Sequence, residues 1–179
     1  MDEEISMVIS VMDCDRPGIV AEITEGISAL GGNLADLRES VLCGYFTMIL
    51  VAGFPTDVTP ERVRSALAQA TSAEVSVKLH EGGFERSEAS EQTYILSAVG
   101  RDRVGLVALV SRFCCDRGIN ILDLASHVEG DFYTMMLQLD FSEVADMAPF
   151  ERELAEFGQK NGLNLVLQHN DIFKATNEI

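Results

Sequence analysis

The segment Asp15-Arg16-Pro17-Gly18-Ile19-Val20-Ala21 recurs 87 positions later, with two substitutions, as Asp102-Arg103-Val104-Gly105-Leu106-Val107-Ala108. At this shift residues 7–54 align with residues 94–141 without a gap, and 15 of the 48 pairs are identical. A residue type that is present in both copies is one that the repeated unit requires. The chain is therefore predicted to contain two copies of one structural unit.

Charge and length restrict the class of protein. The chain has 179 residues, which is enough for one or two small domains. It carries 13 basic and 29 acidic residues, a formal net charge of −16, and no cluster of Lys and Arg. Because nucleic acids and anionic membranes attract clustered basic side chains, this charge disfavours direct contact with either. Units of this size also gain stability by packing on one another, which leaves a homo-oligomer open.

The N-terminus and the apolar stretches indicate a cytoplasmic protein. Met1-Asp2-Glu3-Glu4 is acidic where a secretory signal is basic and then apolar. The longest apolar stretch, residues 45–54, is interrupted by Thr47 and Gly53 and is too short to span a bilayer.

The cysteines and histidines give no support for a metal, cofactor or catalytic site. The four cysteines do not match between the copies and form no Cys-x-x-Cys, and the three histidines lack ligand spacing. We expect reduced thiols that fill apolar space, and no cofactor. Neither copy has a nucleophile elbow, a phosphate-binding glycine loop or a repeated His–carboxylate pair, so we expect no catalytic residues.

Each copy is predicted to fold as βαββαβ. Strands rich in Val, Ile and Leu are predicted over residues 5–12 and 93–99. A helix follows each, and in copy one its apolar stripe consists of Val20, Ile23, Ile27 and Leu30. Pro17 suits the first turn of that helix, and Gly31 and Gly118 suit the ends of the two helices.

The second half of each copy is predicted as a hairpin, a helix and a strand. Cys43-Gly44 and Gly130-Asp131 are predicted to form two tight turns. The predicted strands on either side of them are residues 34–42 with 45–52, and residues 121–129 with 132–141. The predicted helices are residues 60–70, after an N-cap at Thr59, and 147–161; the last strands are residues 75–80 and 163–169.

These elements predict an α+β chain of two ferredoxin-like units in tandem, each with an antiparallel sheet. The first domain is predicted over residues 1–80 and the second over residues 93–170. Residues 81–92 are polar and acidic, so they are interpreted as a linker. Residues 171–179 are interpreted as a C-terminal tail, either a loose end or a short extension.

Two motifs in each copy resemble the ACT domain. A strand that ends in Asp-Arg-Pro-Gly-Ile-Val is followed by a helix, and Gly-Gly-Asn-Leu-Ala-Asp-Leu opens the next strand. Two such units in tandem resemble the glycine cleavage system transcriptional repressor family. The resemblance implies a small regulatory protein that senses an amino acid, glycine above all, and signals to a protein partner such as a transcriptional activator.

The repeated segments also supply candidate amino-acid-binding residues. A helix N-terminus offers N–H groups to a carboxylate, and glycine there lets a ligand approach the backbone. Asn and Asp at the start of the second strand could accept from an ammonium. The candidates in copy one are Asp15, Arg16, Pro17, Gly18, Ile19, Gly32, Asn33, Leu34 and Asp36. The candidates in copy two are Asp102, Arg103, Val104, Gly105, Leu106, Asn120, Ile121 and Asp123.

The ACT resemblance implies that a ligand lies between units, with the loop of one facing the second strand of the other. One pocket would then combine residues 15–19 with residues 120–123, and its mirror would combine residues 102–106 with residues 33–36. The copies differ at Pro17 against Val104 and at Gly32 against Ile119, which predicts unequal pockets.

The same residues have plainer interpretations that the sequence leaves open. The glycines could serve only to start or end a helix, and the arginines could be solvated or paired with Asp15 and Asp102 instead of binding a ligand. Asp36 and Asp123 could be no more than polar positions on strands. The alternative function is a ligand-free interaction protein or a regulatory subunit of a metabolic enzyme.

Overall fold

Two four-stranded antiparallel sheets and five helices make up the described part of the chain. The computed structural model describes residues 4–80, 92–144 and 146–177. The chain divides into two compact units, Met1–Arg86 and Ser87–Ile179, referred to below as unit 1 and unit 2. The predicted linker falls outside the described residues except for Gln92.

Each unit has the predicted βαββαβ order. Unit 1 consists of β1 (Glu4–Cys14), α1 (Ile19–Ala29), β2 (Asn33–Leu42), β3 (Tyr45–Pro55), α2 (Pro60–Ala70) and β4 (Glu74–Leu79). Unit 2 consists of β5 (Thr93–Arg101), α3 (Leu106–Cys115), β6 (Asn120–Glu129), β7 (Phe132–Asp140), α4 (Met147–Asn161), β8 (Leu163–His169) and α5 (Asn170–Asn177).

The strand order is the same in the two sheets. Unit 1 has the order β2-β3-β1-β4 and unit 2 has the order β6-β7-β5-β8. Every pairing is antiparallel. In unit 1, β2 and β3 form a hairpin, and the two helices connect β1 to β2 and β3 to β4, which are not neighbours in the sheet. The predicted tandem ferredoxin-like fold is confirmed.

One face of each sheet packs against its helices and forms the core. In β1 the alternate residues Met7, Ile9 and Val11 are buried, as strand periodicity requires. The largest fully buried side chains include Phe54 in unit 1 and Phe141 in unit 2, which occupy equivalent positions. The apolar alternation therefore aims one side of every central strand at the helices.

Strands β1 and β3 are longer than predicted. β1 extends to Cys14, which pairs with Tyr45 of β3, although the apolar pattern of the sequence stops at Met12. β3 likewise continues to Pro55. Backbone hydrogen bonding maintains a strand past the last apolar side chain, so hydrophobic periodicity underestimates its length.

The start of α1 differs from the prediction in two ways. The helix begins at Ile19, with Gly18 as N-cap at φ 100, so Pro17 lies in the preceding turn and not in the first helical turn. The buried stripe is Ile19, Ile23 and Ile27, whereas Val20 is exposed. With the helix starting at Ile19, residues 19, 23 and 27 share the buried face, and Ile19 takes the core position assigned to Val20.

The predicted helix ends, hairpins and N-cap are confirmed. Gly31 at φ 74 and Gly118 at φ 68 follow α1 and α3 in Schellman motifs, with Gly32 N–H bonded to Ile27 O and Ile119 N–H to Cys114 O. Two-residue turns at 43–44 and 130–131 join the hairpin strands. The Thr59 hydroxyl accepts a hydrogen bond from Arg62 N–H at 3.2 Å and so caps α2.

The C-terminal tail is a short helical extension. Helix α5 follows β8 directly and lies against β5 and β8. Phe173 is half-buried while Ile172 is exposed. Asp171 stands in its first turn and Lys174 in its last, which suits the helix dipole.

Candidate functional site

The loop between β1 and α1 is fixed to the neighbouring hairpin turn. Asp15 N–H donates to Gly44 O at 2.8 Å, and at the equivalent place in unit 2 Asp102 N–H donates to Asp131 O at 2.8 Å. Each loop is therefore a defined turn held at the end of the sheet, which is the rigidity that a binding loop needs.

Glycine at the N-cap of each first helix is required by the backbone. Gly18 has φ 100 and Gly105 has φ 90, a left-handed conformation that other residues rarely adopt. Neither helix has a capping hydrogen bond from a side chain at its start. Among the described residues no side chain caps the first N–H groups of α1 and α3, and the helix dipole favours an anion there.

A surface pocket of ≈ 570 Å³ lies between the first turn of α1 and the helix-facing side of β2. Its lining residues are Asp15, Arg16, Pro17, Gly18, Ile19, Val20, Ala21, Thr24, Glu39, Val41 and Phe46. It therefore contains all five predicted loop candidates of unit 1. The size is within the usual range for sites that hold small molecules.

Complementary chemical groups meet in this pocket, which we call the α1 pocket. The start of α1 supplies N–H donors, and the carboxylates of Asp15 and Glu39 supply acceptors. Both carboxylates are exposed, and neither has an ion-pair partner within the part of the chain that the structure describes. Val41 and Phe46 add an apolar wall.

The Arg16 guanidinium is held by acidic neighbours. Its Nη1 and Nη2 donate to Glu22 Oε1 and Oε2, each at 2.7 Å, in a bidentate pair. Nη2 also donates to Thr71 Oγ1 at 3.3 Å, and Nε lies 3.6 Å from Asp13 Oδ2. The hydrogen bonds from Arg16 lower the pKa of the Glu22 carboxyl to about 2. The pairing of Arg16 with Asp15 considered from the sequence is wrong, because Glu22 stands one helical turn beyond the N-cap and matches the guanidinium fork.

Arg103 has different surroundings. Its Nη2 donates to the carbonyl of Asn161, the last residue of α4, at 3.0 Å. The sequence positions equivalent to Asp13, Glu22 and Glu39 hold Gly100, Leu109 and Ser126. The expected pairing with Asp102 is not formed here either, since Arg103 reaches the C-terminus of a helix, where the dipole favours a cation.

Asp36 and Asp123 support a backbone irregularity. The edge strands β2 and β6 each contain a β-bulge, between Leu34 and Asp36 and between Ile121 and Asp123. Immediately after it, Asp36 Oδ1 accepts Leu37 N–H at 2.8 Å and Asp123 Oδ1 accepts Leu124 N–H at 2.9 Å. This shared bond gives the repeated aspartates a structural reason.

Gly32 is required by packing in unit 1. A Cβ atom on Gly32 would lie 2.5 Å from Phe54 Cε1 and 2.7 Å from Ile27 Cγ2. In unit 2 the same position is Ile119, which is buried with only 4% of its surface exposed. The difference between Gly32 and Ile119 thus reflects two ways of filling a core.

The loop and the start of the second strand lie at opposite ends of the sheet within a unit. Asn33 pairs with Gly53, whereas the loop follows Cys14, which pairs with Tyr45 beside Leu42. The nine steps along β2 span about 30 Å. A small ligand therefore cannot contact Asp15 and Asn33 of the same unit. The arrangement across units that the ACT resemblance implies stays a prediction. The side chains of Asn33 and Asn120 are exposed, and their role in binding an amino acid also stays a prediction.

Several residues of the site are missed by reasoning from the repeat. Glu39, Val41 and Phe46 line the α1 pocket, and Glu22 and Thr71 hold Arg16. Glu39 and Glu22 have no identical counterpart in the second copy, so a search for shared residues passes over them. The signal that could have indicated them is their place in the predicted elements, since Glu22 lies in the first turn of α1 and Glu39 lies in β2.

The cysteines correct one expectation. Only Cys114 is buried, and burial raises the pKa of its thiol to about 11; Cys14, Cys43 and Cys115 are exposed. The described residues contain no group of three or more His, Cys, Asp or Glu side chains placed to hold a metal ion. Among the helices of the described part of the chain, none has the length and apolar character needed to cross a membrane.

The sequence pattern of the ACT domain matches this chain twice, over residues 6–80 and residues 92–168. The chain belongs to the ACT domain family. The two matches cover both units and include both candidate loops. The fold and the repeat are therefore those of two ACT domains in tandem.

Relatives of one unit's length have similar sequences. The UPF0237 protein of Methanocaldococcus jannaschii is 33% identical over 86 residues, which is 48% of this chain and 96% of that protein. A UPF0237 protein of Clostridium acetobutylicum is 33% identical over 86 residues, 48% of this chain and 97% of its own length.

Two solved structures share the tandem fold. A crystal structure of an unknown protein from Galdieria sulphuraria has a TM-score of 0.73 at 24% identity and covers 93% of this chain and 98% of its own. A "putative glycine cleavage system transcriptional repressor" has a TM-score of 0.72 at 18% identity, with 92% and 96% covered. At these identities the likeness concerns the fold.

Proposed function

We propose that this tandem ACT protein is a non-catalytic sensor of a small amino acid, glycine or a similar one, and that it regulates a protein partner. The observation that carries the proposal is the α1 pocket, where donors at a helix N-terminus face two carboxylates without ion-pair partners among the described residues. That juxtaposition suits a zwitterion. The α-carboxylate would accept from the N–H groups of the first turn of α1, and the ammonium would donate to Asp15 and Glu39.

The size of such a ligand limits its affinity. Glycine has about five heavy atoms, and the best small ligands gain about 1.5 kcal/mol per atom. The ceiling is about −7 kcal/mol, which corresponds to a dissociation constant near 10 μM. A site of this strength would follow metabolite abundance, as a sensor must.

Titration calorimetry with glycine, L-alanine and L-serine tests the sensor. We expect saturable binding to the full chain, and at least about a tenfold loss of affinity in Asp15→Asn and Glu39→Gln, because each removes a charged acceptor for the ammonium. Asp57→Asn is the matched control, since Asp57 is an exposed carboxylate in the loop that follows β3. If none of the three amino acids binds at ~10 mM, well above the ceiling constant, the sensor proposal fails.

The proposed role in regulation is that of a glycine cleavage system transcriptional repressor, acting through a transcriptional activator. It is supported by the ACT family and by the shared tandem fold. The coupling between ligand and partner is tested by recovering partner proteins on the immobilised chain with and without glycine. A ligand that changes the affinity for a partner must itself bind more or less tightly when that partner is present.

The alternative is a ligand-free interaction protein or a regulatory subunit of a metabolic enzyme. It is favoured by exposed apolar side chains beside the loops, with Leu42 72% exposed and Val104 fully exposed. Partner binding that no amino acid alters would select this alternative.

A further inference from the structure

We propose that the α1 pocket admits amino acids with neutral or basic side chains and rejects those with a second carboxylate, and that Glu22 sets this selection by withholding Arg16. The inference rests on the proposed function and names the ligand class of the same site.

Among the described residues that line the pocket, Arg16 is the one cation. Its planar fork is already matched by the Glu22 carboxylate through two contacts of 2.7 Å, while Nη2 also donates to Thr71 and Nε lies near Asp13. A guanidinium binds carboxylates best through that fork. A ligand carboxylate would have to displace Glu22, so Arg16 contributes little to anion binding.

The charge that remains in the pocket is negative. Asp15 and Glu39 line it as exposed carboxylates without an ion-pair partner in the described ranges. An α-carboxylate can be accommodated by the N–H groups of α1, whereas a second carboxylate on the side chain would meet the charges of Asp15 and Glu39, and the described lining residues offer it no cation other than the paired Arg16. Like charges brought together in a binding site reduce affinity strongly.

Unit 2 shows that the loop does not need these acids in order to fold. Its loop keeps the left-handed glycine and the anchoring bond from Asp102 N–H, although Leu109 and Ser126 stand in place of Glu22 and Glu39. The shared loop geometry therefore does not depend on carboxylates at the positions of Glu22 and Glu39. Glu22 pairs with Arg16, and Glu39 lines the pocket as a carboxylate, so both affect the charge presented to a ligand.

Titration calorimetry of the full chain with L-serine, L-lysine, L-aspartate and L-glutamate tests the selection. We expect L-serine and L-lysine to bind at least about tenfold more tightly than L-aspartate and L-glutamate, with the difference shrinking as salt is raised. In Glu22→Gln the ratio of serine to aspartate affinity should fall at least about fivefold, because Arg16 is released towards the pocket. Glu39→Gln should lower the same ratio by removing a repelling charge.

Glu25→Gln is the matched control, since it removes the same charge from an exposed position on α1 and should leave the ratio unchanged. Aspartate binding within about threefold of serine in the native chain would overturn the selection and leave the sensor proposal standing. So would a ratio in Glu22→Gln equal to that in Glu25→Gln. Absence of binding by every amino acid would instead remove the proposed function itself.

Discussion

The first-helix loops of the two units share sequence, backbone conformation and anchoring, yet they present different chemistry. Gly18 and Gly105 adopt nearly the same φ, 100 and 90, and both loops are tied to the adjacent hairpin turn at 2.8 Å. In unit 1 the arginine is paired with Glu22, whereas in unit 2 it donates to a helix-end carbonyl. The repeated motif determines the turn, and residues outside the motif determine its charge.

A second pair of positions differs for a reason unrelated to ligands. Gly32 leaves room for Phe54 and Ile27, and Ile119 fills the corresponding place in unit 2. The difference between Gly32 and Ile119 therefore does not by itself make the two pockets unequal. The predicted inequality of the two pockets is better attributed to Glu22, Asp13 and Glu39, which have neutral counterparts in unit 2.

Substitutions at Gly32 and Ile119 test most strongly whether packing explains the difference between the two units. Gly32→Ile should destabilise the protein by about 3 kcal/mol, because Phe54 and Ile27 must both move to admit the side chain. Ile119→Ala should cost about 2–3 kcal/mol by leaving a cavity. Urea unfolding measures both, and Leu122→Ala, at a 46% exposed position, should stay within about 0.5 kcal/mol. If Gly32→Ile left the free energy of unfolding unchanged, packing would not explain the glycine at this position.

The shared turn predicts a smaller and equal pair of effects. Gly18→Ala and Gly105→Ala should each cost about 1–2 kcal/mol in urea unfolding, because alanine is strained at the left-handed φ of both glycines. Gly105→Asn should be milder, since asparagine tolerates this conformation. A marked difference between the two alanine variants would show that the loops are not equivalent in backbone strain.

The fold followed from the sequence because its signals are local and repeated. Apolar alternation, Thr59 before Pro60, and glycines at both helix ends each predict one element by one physical rule. The repeat then checks every element against a second copy. The extra length of β1, the start of α1 at Ile19 and the C-terminal helix α5 escaped the pattern.

The site was less accessible to the same reasoning. Identity between copies identified the loop at residues 15–19, which lines the α1 pocket, and also Asp36, whose carboxylate supports a bulge. It could not identify Glu39 or Glu22, because their importance comes from contacts formed across the fold and only one copy has them. Shared residues describe what the unit requires, and unshared residues beside them describe what each unit does differently.

The smallest expected effect concerns pH and separates the two arginines. The pKa of Glu22 is lowered from 4.5 to about 2 by Arg16, so its contribution to stability is present above pH 4.5 and is lost as the pH falls towards 2. Glu22→Gln should therefore be less stable than the native chain at pH 6, and the two should converge near pH 2. Leu109→Gln places the same amide at the equivalent position of unit 2, where Arg103 donates to the Asn161 carbonyl, and should show no such convergence. Urea unfolding at several pH values measures the difference, and a gap between Glu22→Gln and the native chain that persists unchanged to pH 2 would show that the Arg16–Glu22 pair does not act through charge.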